Sequence, residues 1–486
     1  MPQLCSIEVP AGVELADLLF ERGVEFPCGG TSLCGGCRVR LVEGHIAVTP
    51  DMQAVLTPDE IAAGWRLACQ ARAQGRVTLE IEQWEGPILC DESRVPFEPR
   101  EGFGIAVDLG TTTLVAQLLD FATGDVLAVR TALNPQCAHG ADVMSRVQLA
   151  LRELQVLTRS IRQGLAPLVH DVAGGREVTE VLICGNTVMH HLFCGEAVEP
   201  LSHVPFETSA GGMREFLAKD LGWQLGNACR VRFLPCLGSF VGSDILAGMV
   251  ALDWLGRETL VALIDLGTNG EIVIGNRHGA VCASTAAGPA FEAGRIRMGM
   301  RAAPGAISRV VPKDGGFECH VLGARSPRGI CGSGLVDAVA AGLQTGRILP
   351  AGRLANGTQE LELIAPVSLT QSDIRELQLA KGAIAAGLRI LLERWGAALD
   401  QLERVYLAGA FGNYVNAASA HRIGLLELPP EKTEPAGNTA LRGTKALLLA
   451  PSRRPALLEQ IGRLTKHVSL ASDPHFQDVF VDCMRF

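Results

Sequence analysis

The sequence predicts an α/β multidomain protein in two parts, a small mixed N-terminal module and a larger α/β body with an internal duplication. Three observations predict it. Three cysteines crowd into ten residues, C-G-G-T-S-L-C-G-G-C over 28–37, and Cys69 follows thirty-two residues later. The tetrapeptide D-L-G-T closes an apolar strand twice, at Asp108 and at Asp265, 157 residues apart. The chain of 486 residues is 48% hydrophobic and 20% charged, which suits two to four globular domains rather than disorder.

Bulk properties exclude several function classes. A formal net charge of −9 argues against nucleic acid or an anionic membrane surface as the partner. The opening residues M-P-Q-L-C-S-I-E-V-P carry no basic segment followed by a long apolar run, so no signal peptide is expected. No apolar run reaches the roughly 18 residues of a membrane-spanning helix. Of the 15 cysteines, the 11 outside the motif are scattered singly, as in a reducing compartment where Cys acts as a small apolar residue. A soluble, cytoplasmic, multidomain protein is the expectation.

The first 85 residues read as a β-grasp ferredoxin. Cys5–Val9 suits a short strand, Val13–Glu21 a helix, and Phe26–Cys37 a loop rich in glycine. Arg38–Val42 alternates as a strand before a turn at Glu43 and Gly44. Thr57, Pro58 and Glu60 form a capping box opening a short helix that ends near Gly64, and Val77–Ile81 is a closing strand. A tight cysteine trio with a distant fourth is the ligand pattern of a plant-type [2Fe–2S] centre, here with one extra residue in the first gap. Cys28, Cys34, Cys37 and Cys69 are the predicted ligands. A structural zinc site would more often show a second CxxC pair, which is missing, and a disulfide framework suits a small chain in an oxidising compartment. Residues 86–102, with three prolines and four acidic residues, read as a linker that lets the module move.

From Phe103 the character changes. F-G-I-A-V-D-L-G-T-T-T-L-V-A-Q-L-L-D is a strand, a polar tip at Gly110, Thr111, Thr112 and Thr113, and a second strand. L-V-A-L-I-D-L-G-T-N-G-E-I-V-I-G repeats it with Gly267, Thr268, Asn269 and Gly270 at the tip. A glycine and a hydroxyl at such a tip offer N–H and O–H donors to phosphate oxygens, and the carboxylate suits a hydrated Mg²⁺. Val181–Phe193 reads as a strand, a Gly185-Asn186-Thr187 turn and a helix. Gly332, Ser333 and Gly334 precede a helix, a candidate phosphate-facing terminus. Ser372–Trp395 is a long amphipathic helix capped by Thr370 with Asp373 at the third position. Val405–Tyr414 is a strand entering the turn Gly409, Ala410, Phe411, Gly412.

Taken together, the two D-L-G-T hairpins and L-A-G-A-F-G resemble the phosphate-1, phosphate-2 and adenosine motifs of the sugar kinase/Hsp70/actin ATPase superfamily, whose fold is a duplicated RNase H-like one. The strings C-G-N-T-V-M-H-H-L, S-T-A-A-G-P-A-F-E, G-I-C-G-S-G-L-V-D-A-V and L-A-G-A-F-G-N-Y are similar to those of one branch, the ferredoxin-fused reductive activators of corrinoid proteins, and the C-x5-C-x2-C spacing matches that branch. The resemblance covers nearly the whole chain. It implies a ferredoxin domain over 1–85, a linker over 86–102, a first ATPase lobe over 103–255 and a second over 256–486. It implies ATP-dependent transfer of one electron from a [2Fe–2S] cluster to Co(II) in the corrinoid protein of a methyltransferase system, with ATP and Mg²⁺ bound and a low-potential donor upstream. Asp108 and Asp265 would be the Mg²⁺-side carboxylates. Gly110, Thr111, Thr112, Thr113, Gly267, Thr268 and Asn269 would hold phosphates. Gly332, Ser333, Gly334, Gly409, Ala410, Phe411 and Gly412 would border the nucleoside. Family members also dimerise, which these residues do not indicate by themselves.

Three rivals stand beside that reading: an ATP-driven donor to another acceptor, like the activators of 2-hydroxyacyl-CoA dehydratases; a redox-sensing, nucleotide-gated binding module; and a small-molecule kinase. The N-terminal four-cysteine module counts against the first. His190 and His191, adjacent on a helix, cannot face one metal and read as structural. Arg295, Arg297 and Arg301 read equally as phosphate ligands or a solvated edge, and Cys331 as a small buried residue. Glu292 is a candidate for orienting a water, with the bland reading favoured.

Overall fold

The computed structural model describes residues 3–20, 24, 37–81, 91, 93–140, 142–207, 210–267, 269–324, 326–412 and 414–486. In the N-terminal module, β1 (Gln3–Glu14), β2 (Arg38–Glu43), β3 (Trp65–Leu67) and β4 (Arg72–Ile81) form an antiparallel sheet in the order β1-β4-β2-β3. Leu15, Leu19, Met52, Leu67, Val77 and Leu79 are buried in its core. The expected strand over Cys5–Val9 continues to Glu14, and the helix expected over Val13–Glu21 is confined to Ala16–Phe20 among the described residues. Pairing decides this: Val13 and Glu14 lie opposite Ala73 and Arg72, and the Leu15 N–H donates to the Ala71 carbonyl at 2.9 Å. A ladder that satisfies these backbone groups outweighs helical periodicity in the side chains. The Thr57 capping box is present, with Thr57 Oγ1 accepting from the Glu60 N–H and the Glu60 carboxylate accepting from the Thr57 N–H.

The body contains two six-stranded sheets that share an arrangement of five strands and differ in the sixth. The first has β5 (Phe103–Leu109), β6 (Thr113–Asp120), β7 (Val126–Leu133), β8 (Val178–Gly185), β9 (Arg214–Leu217) and β10 (Arg230–Phe233) in the order β7-β6-β5-β8-β10-β9. In the second, β11 (Val261–Leu266), β12 (Gly270–Asn276) and β13 (Gly279–Thr285) make the meander. An insertion then folds β14 (Ala306–Lys313), β15 (Gly316–Val321) and β16 (Gly329–Ile330) into one ladder, and β17 (Glu360–Ile364) and β18 (Val367–Thr370) into a hairpin. Strands β19 (Arg404–Ala408), β20 (Thr433–Gly437) and β21 (Thr465–His467) complete the order β20-β19-β11-β12-β13-β21. The meander β5-β6-β7 with parallel β8 thus matches the meander β11-β12-β13 with parallel β19. Strands β5 and β11 are buried on both faces, which explains their unbroken apolar runs.

Between the sheets lies a shared core built from Ala106, Leu182, Leu263, Val273 and Tyr406 and from the helices Ser243–Ala251 and Thr439–Leu449. These helices approach so closely that a Cβ on Gly443 would lie 1.8 Å from the Ala247 carbonyl oxygen. The predicted long helix is present at Gln371–Trp395, with Thr370 and Asp373 in a capping box. The linker is only partly a tether. From Ser93 to Arg100 it runs along the body, the Glu98 N–H donating to the Leu449 carbonyl at 2.9 Å and the Arg100 guanidinium lying 3.5 Å from the Phe121 ring centroid. No helix among the described residues is long and apolar enough to cross a membrane.

Candidate functional site

Equivalent strands deliver the two predicted aspartates to equivalent places. Asp108 lies beside Cys184 of parallel β8, and Asp265 beside Ala408 of parallel β19. Each strand then turns through its glycine tip. The Gly110 N–H donates to the Thr113 carbonyl at 3.1 Å, and the Gly267 N–H to the Asn269 carbonyl at 3.1 Å, so the second tip is one residue shorter. Thr268 lies outside the described residues.

The first tip is held from behind by residues the motif does not contain. Asn134, fully buried, donates from Nδ2 to the Gly110 carbonyl at 2.9 Å and from its backbone to the Thr112 carbonyl at 2.8 Å. Asn186, which caps the helix Thr187–Cys194, donates from Nδ2 to Thr111 Oγ1 at 2.9 Å. With its oxygen accepting from Asn186, the Thr111 hydroxyl keeps its own proton to donate.

Four carboxylates meet where the two sheets face each other. Burial pushes Asp108 up to about 6, opposed by a 2.9 Å hydrogen bond from Asn438 Nδ2. Burial and then the charge of Asp108 push Asp265 up to about 7. Asp244 is raised by burial and by Asp265, and Glu271 by burial, Asp244 and Asp265. Among the described residues no three His, Cys, Asp or Glu groups are close enough to ligate one metal directly. Such a ring suits a cation that keeps its water shell, as Mg²⁺ does.

Asp244, Glu271 and Asn438 escaped the sequence reading, though each left a trace. Glu271 stands directly opposite Asp265 in the hairpin and is the one acid on β12. Asp244 follows a G-S step at the start of the helix Ser243–Ala251. Asn438 is the cap of the helix Thr439–Leu449, its Oδ1 accepting from the Leu441 N–H at 2.8 Å. That bond fixes the amide so that Nδ2 faces Asp108. Nothing in the sequence pairs positions 108 and 438.

The remaining motif residues converge from the second lobe. Gly409, at φ +82°, lets the chain pass Asp265, since a Cβ there would lie 2.5 Å from Asp265 Oδ1. Phe411 is buried and stacks on Phe291 with centroids 4.7 Å apart, and a Cβ on Gly332 would sit 3.0 Å from its ring. The Ser333 hydroxyl donates inward to the Ser308 carbonyl at 3.0 Å. Cys331 is a small buried residue, as expected.

In the N-terminal module, the backbones at Cys37 and Cys69 run side by side at one end of the sheet. The Ala68 N–H donates to the Cys37 carbonyl at 2.8 Å, which sets the turn Ala68–Gln70 against the start of β2. Cys28 and Cys34 lie outside the described residues. His190 and His191 are buried, His190 Nε2 2.9 Å from the Gly212 carbonyl and His191 Nδ1 2.8 Å from the Thr187 carbonyl. Burial holds both below the usual histidine range. Arg297 is bound to Glu360 and its N–H donates to Asp373 Oδ1 at 2.7 Å, a structural assignment. Glu292 is exposed.

Comparison with known proteins covers nearly the whole chain. Residues 2–74 match the family described as "2Fe-2S iron-sulfur cluster binding domain", 103–255 the "RACo middle region", and 259–486 the "C-terminal domain of RACo the ASKHA domain". The corrinoid activation enzyme RamQ of Eubacterium limosum is 33% identical, over 78% of this chain and 69% of its own. The [Co(II) methylated amine-specific corrinoid protein] reductase of Methanosarcina barkeri is 28% identical, over 78% of this chain and 76% of its own. A solved structure, the reductive activator for corrinoid, iron-sulfur protein, superposes with a TM-score of 0.71 at 26% identity, covering 99% of this chain and 96% of that one.

Proposed function

Because the chain belongs to the family of reductive activators of corrinoid proteins, we propose that it returns a partner's corrinoid cobalt from Co(II) to Co(I) with one electron from its own [2Fe–2S] module, at the expense of ATP. One observation carries the reading. A single chain joins a cysteine-bearing module to a duplicated nucleotide fold whose two halves point carboxylates at one another. We divide it into a cluster domain over 1–85, a linker over 86–102, and ATPase lobes over 103–255 and 256–486.

Cys28, Cys34, Cys37 and Cys69 hold the cluster, which when bound supplies single electrons at a potential of about −400 mV for plant-type centres. That potential leaves Co(II) reduction uphill, so ATP has to favour a conformation of the complex in which transfer proceeds. A ligand does so only through its different affinity for two states. The acidic site provides that difference. Asp108 belongs to the first lobe and Asp265 and Glu271 to the second, and their mutual repulsion opposes closure. A hydrated Mg²⁺ held among these carboxylates would offset their repulsion and, with ATP phosphates held at the tips 110–113 and 267–269, would favour it. Gly409–Gly412 and Gly332–Gly334 border the nucleoside, and a low-potential donor refills the module.

The test is anaerobic absorbance spectroscopy of a Co(II) corrinoid protein with the reduced enzyme, with and without MgATP. Appearance of the Co(I) band only with MgATP is the expected result. Co(II) that persists with several corrinoid proteins while ATP is hydrolysed refutes the proposal.

A further inference from the structure

The cluster module touches the second lobe through a charged side chain. The guanidinium carbon of Arg328 lies 4.7 Å from the centroid of the Trp65 ring, within cation–π range. Trp65 opens β3 and stands opposite Arg40 of β2, two residues beyond Arg38 and three beyond Cys37. Ion pairs Arg38–Glu60 and Arg40–Glu80 link this edge to the rest of the module. Arg328 is half-buried there; burial and then the like charge of Arg38 lower its pKa, while Glu60 and Glu80 oppose the shift.

The lobe side of the contact is rigid. The Arg328 N–H donates to the Gly305 carbonyl at 2.8 Å, and Gly305 (φ +95°) leaves room for the arginine stem, since a Cβ there would lie 2.9 Å from Arg328 Cδ. The chain then enters β16, with the Ile330 N–H donating to Met298 at 2.9 Å and the Cys331 N–H to Ile307 at 3.1 Å. Cys331 caps the helix Gly332–Gln344. One short pinned segment therefore runs from the module contact to the glycines assigned to the nucleoside border.

We infer that Arg328 is a positioning residue for electron transfer: it docks the cluster module on the second lobe through Trp65 and fixes a positive charge beside the strand that follows Cys37. The inference rests on the assignment of Cys37 as a cluster ligand. Reduction adds a negative charge to the cluster, and a nearby guanidinium favours the reduced form and raises the potential. Arginine suits the place because its planar group stacks on an indole and keeps its charge when half-buried.

The experiment uses the full chain with the cluster loaded, as wild type, Arg328→Gln and Arg328→Lys. Hydrogen–deuterium exchange over residues 60–67 reads docking, and a spectroscopic redox titration reads the midpoint potential. Arg328→Gln is expected to speed exchange over 60–67 and to move the midpoint to a more negative value. Arg328→Lys, which keeps the charge and loses the flat stacking surface, is expected to speed exchange with a smaller shift in potential. Wild-type exchange over 60–67 in Arg328→Gln overturns the docking role. Faster exchange at an unchanged potential overturns the electrostatic one. Wild-type protein without [2Fe–2S] absorbance after loading would fail the cysteine assignment instead, and the exchange comparison would still decide docking.

Discussion

Neutralising Asp265 should stabilise the metal-free protein while abolishing its function. Its carboxyl sits at about 7 where an ordinary aspartate has 3.8, raised first by burial and then by Asp108. Between those values the folded state holds a proton that the unfolded chain has released, so stability falls as pH rises through the window and levels off above about 7. At about 1.4 kcal/mol per tenfold, the wild-type aspartate costs roughly 2 kcal/mol at pH 5.5 and roughly 4 kcal/mol at pH 8. Asp265→Asn removes that cost and relieves Asp244 and Glu271, both of which feel its charge. The advantage of the variant in urea denaturation without divalent cations, followed on the transition that unfolds the nucleotide body, should therefore grow by about 2 kcal/mol from pH 5.5 to pH 8. Millimolar Mg²⁺ should stabilise the wild type and leave the variant unchanged, and MgATP should no longer drive Co(I) formation. A variant no more stable than wild type at pH 8 without Mg²⁺, or an advantage that does not grow with pH, refutes the account of the acidic ring.

Three further outcomes are expected. Asn438→Ala removes a helix cap worth about 1 kcal/mol and the amide hydrogen bond that holds Asp108 down, so calorimetry should show MgATP affinity lowered more at pH 6 than at pH 8. Gly409→Ala puts a Cβ 2.5 Å from Asp265 Oδ1 in a left-handed backbone, and ATP-dependent Co(I) formation should be lost while the cluster spectrum is kept. Cys69→Ser should abolish the visible absorbance of the cluster and leave equilibrium binding of MgATP unchanged.

What the sequence made legible was local or repeated. The two tips, the cap at Thr370 and the turn after β19 are contiguous strings whose chemistry is visible within ten residues. The duplication was legible because the same apolar strand and the same Asp-Leu-Gly-Thr recur on both sheets. Illegible were contacts between distant positions. Asn438 meets Asp108 across 330 residues, and Asn134 supports Gly110 from the far end of β7. The start of the first helix is not legible, because Val13 and Glu14 are held in the sheet by partners on β4 about sixty residues away. The linker shows the same gap, since its composition says flexible while Lys445, far along the chain, anchors it.

That anchor fixes where the N-terminal module joins the body. Lys445 is fully buried, ion-paired with Asp91, and donates to the Asp91 carbonyl at 3.1 Å; Gln117 Nε2 on β6 donates to the same carbonyl at 2.9 Å. Removing the carboxylate would leave a buried ammonium without its counter-charge, at a cost of about 3–5 kcal/mol, so Asp91 is a fixed point on the body. The chain from Ile81 to Asp91 spans at most about 35 Å at 3.3–3.6 Å per residue. The attachment point of the module, Ile81, therefore lies within that contour length of Asp91. The helix Thr439–Leu449 holds both ends of this arrangement. Its cap, Asn438, binds Asp108 in the acidic cluster, and two turns on Lys445 binds Asp91. An α-helix is rigid over two turns, so the contact of Asn438 with Asp108 and that of Lys445 with Asp91 are held at a fixed separation.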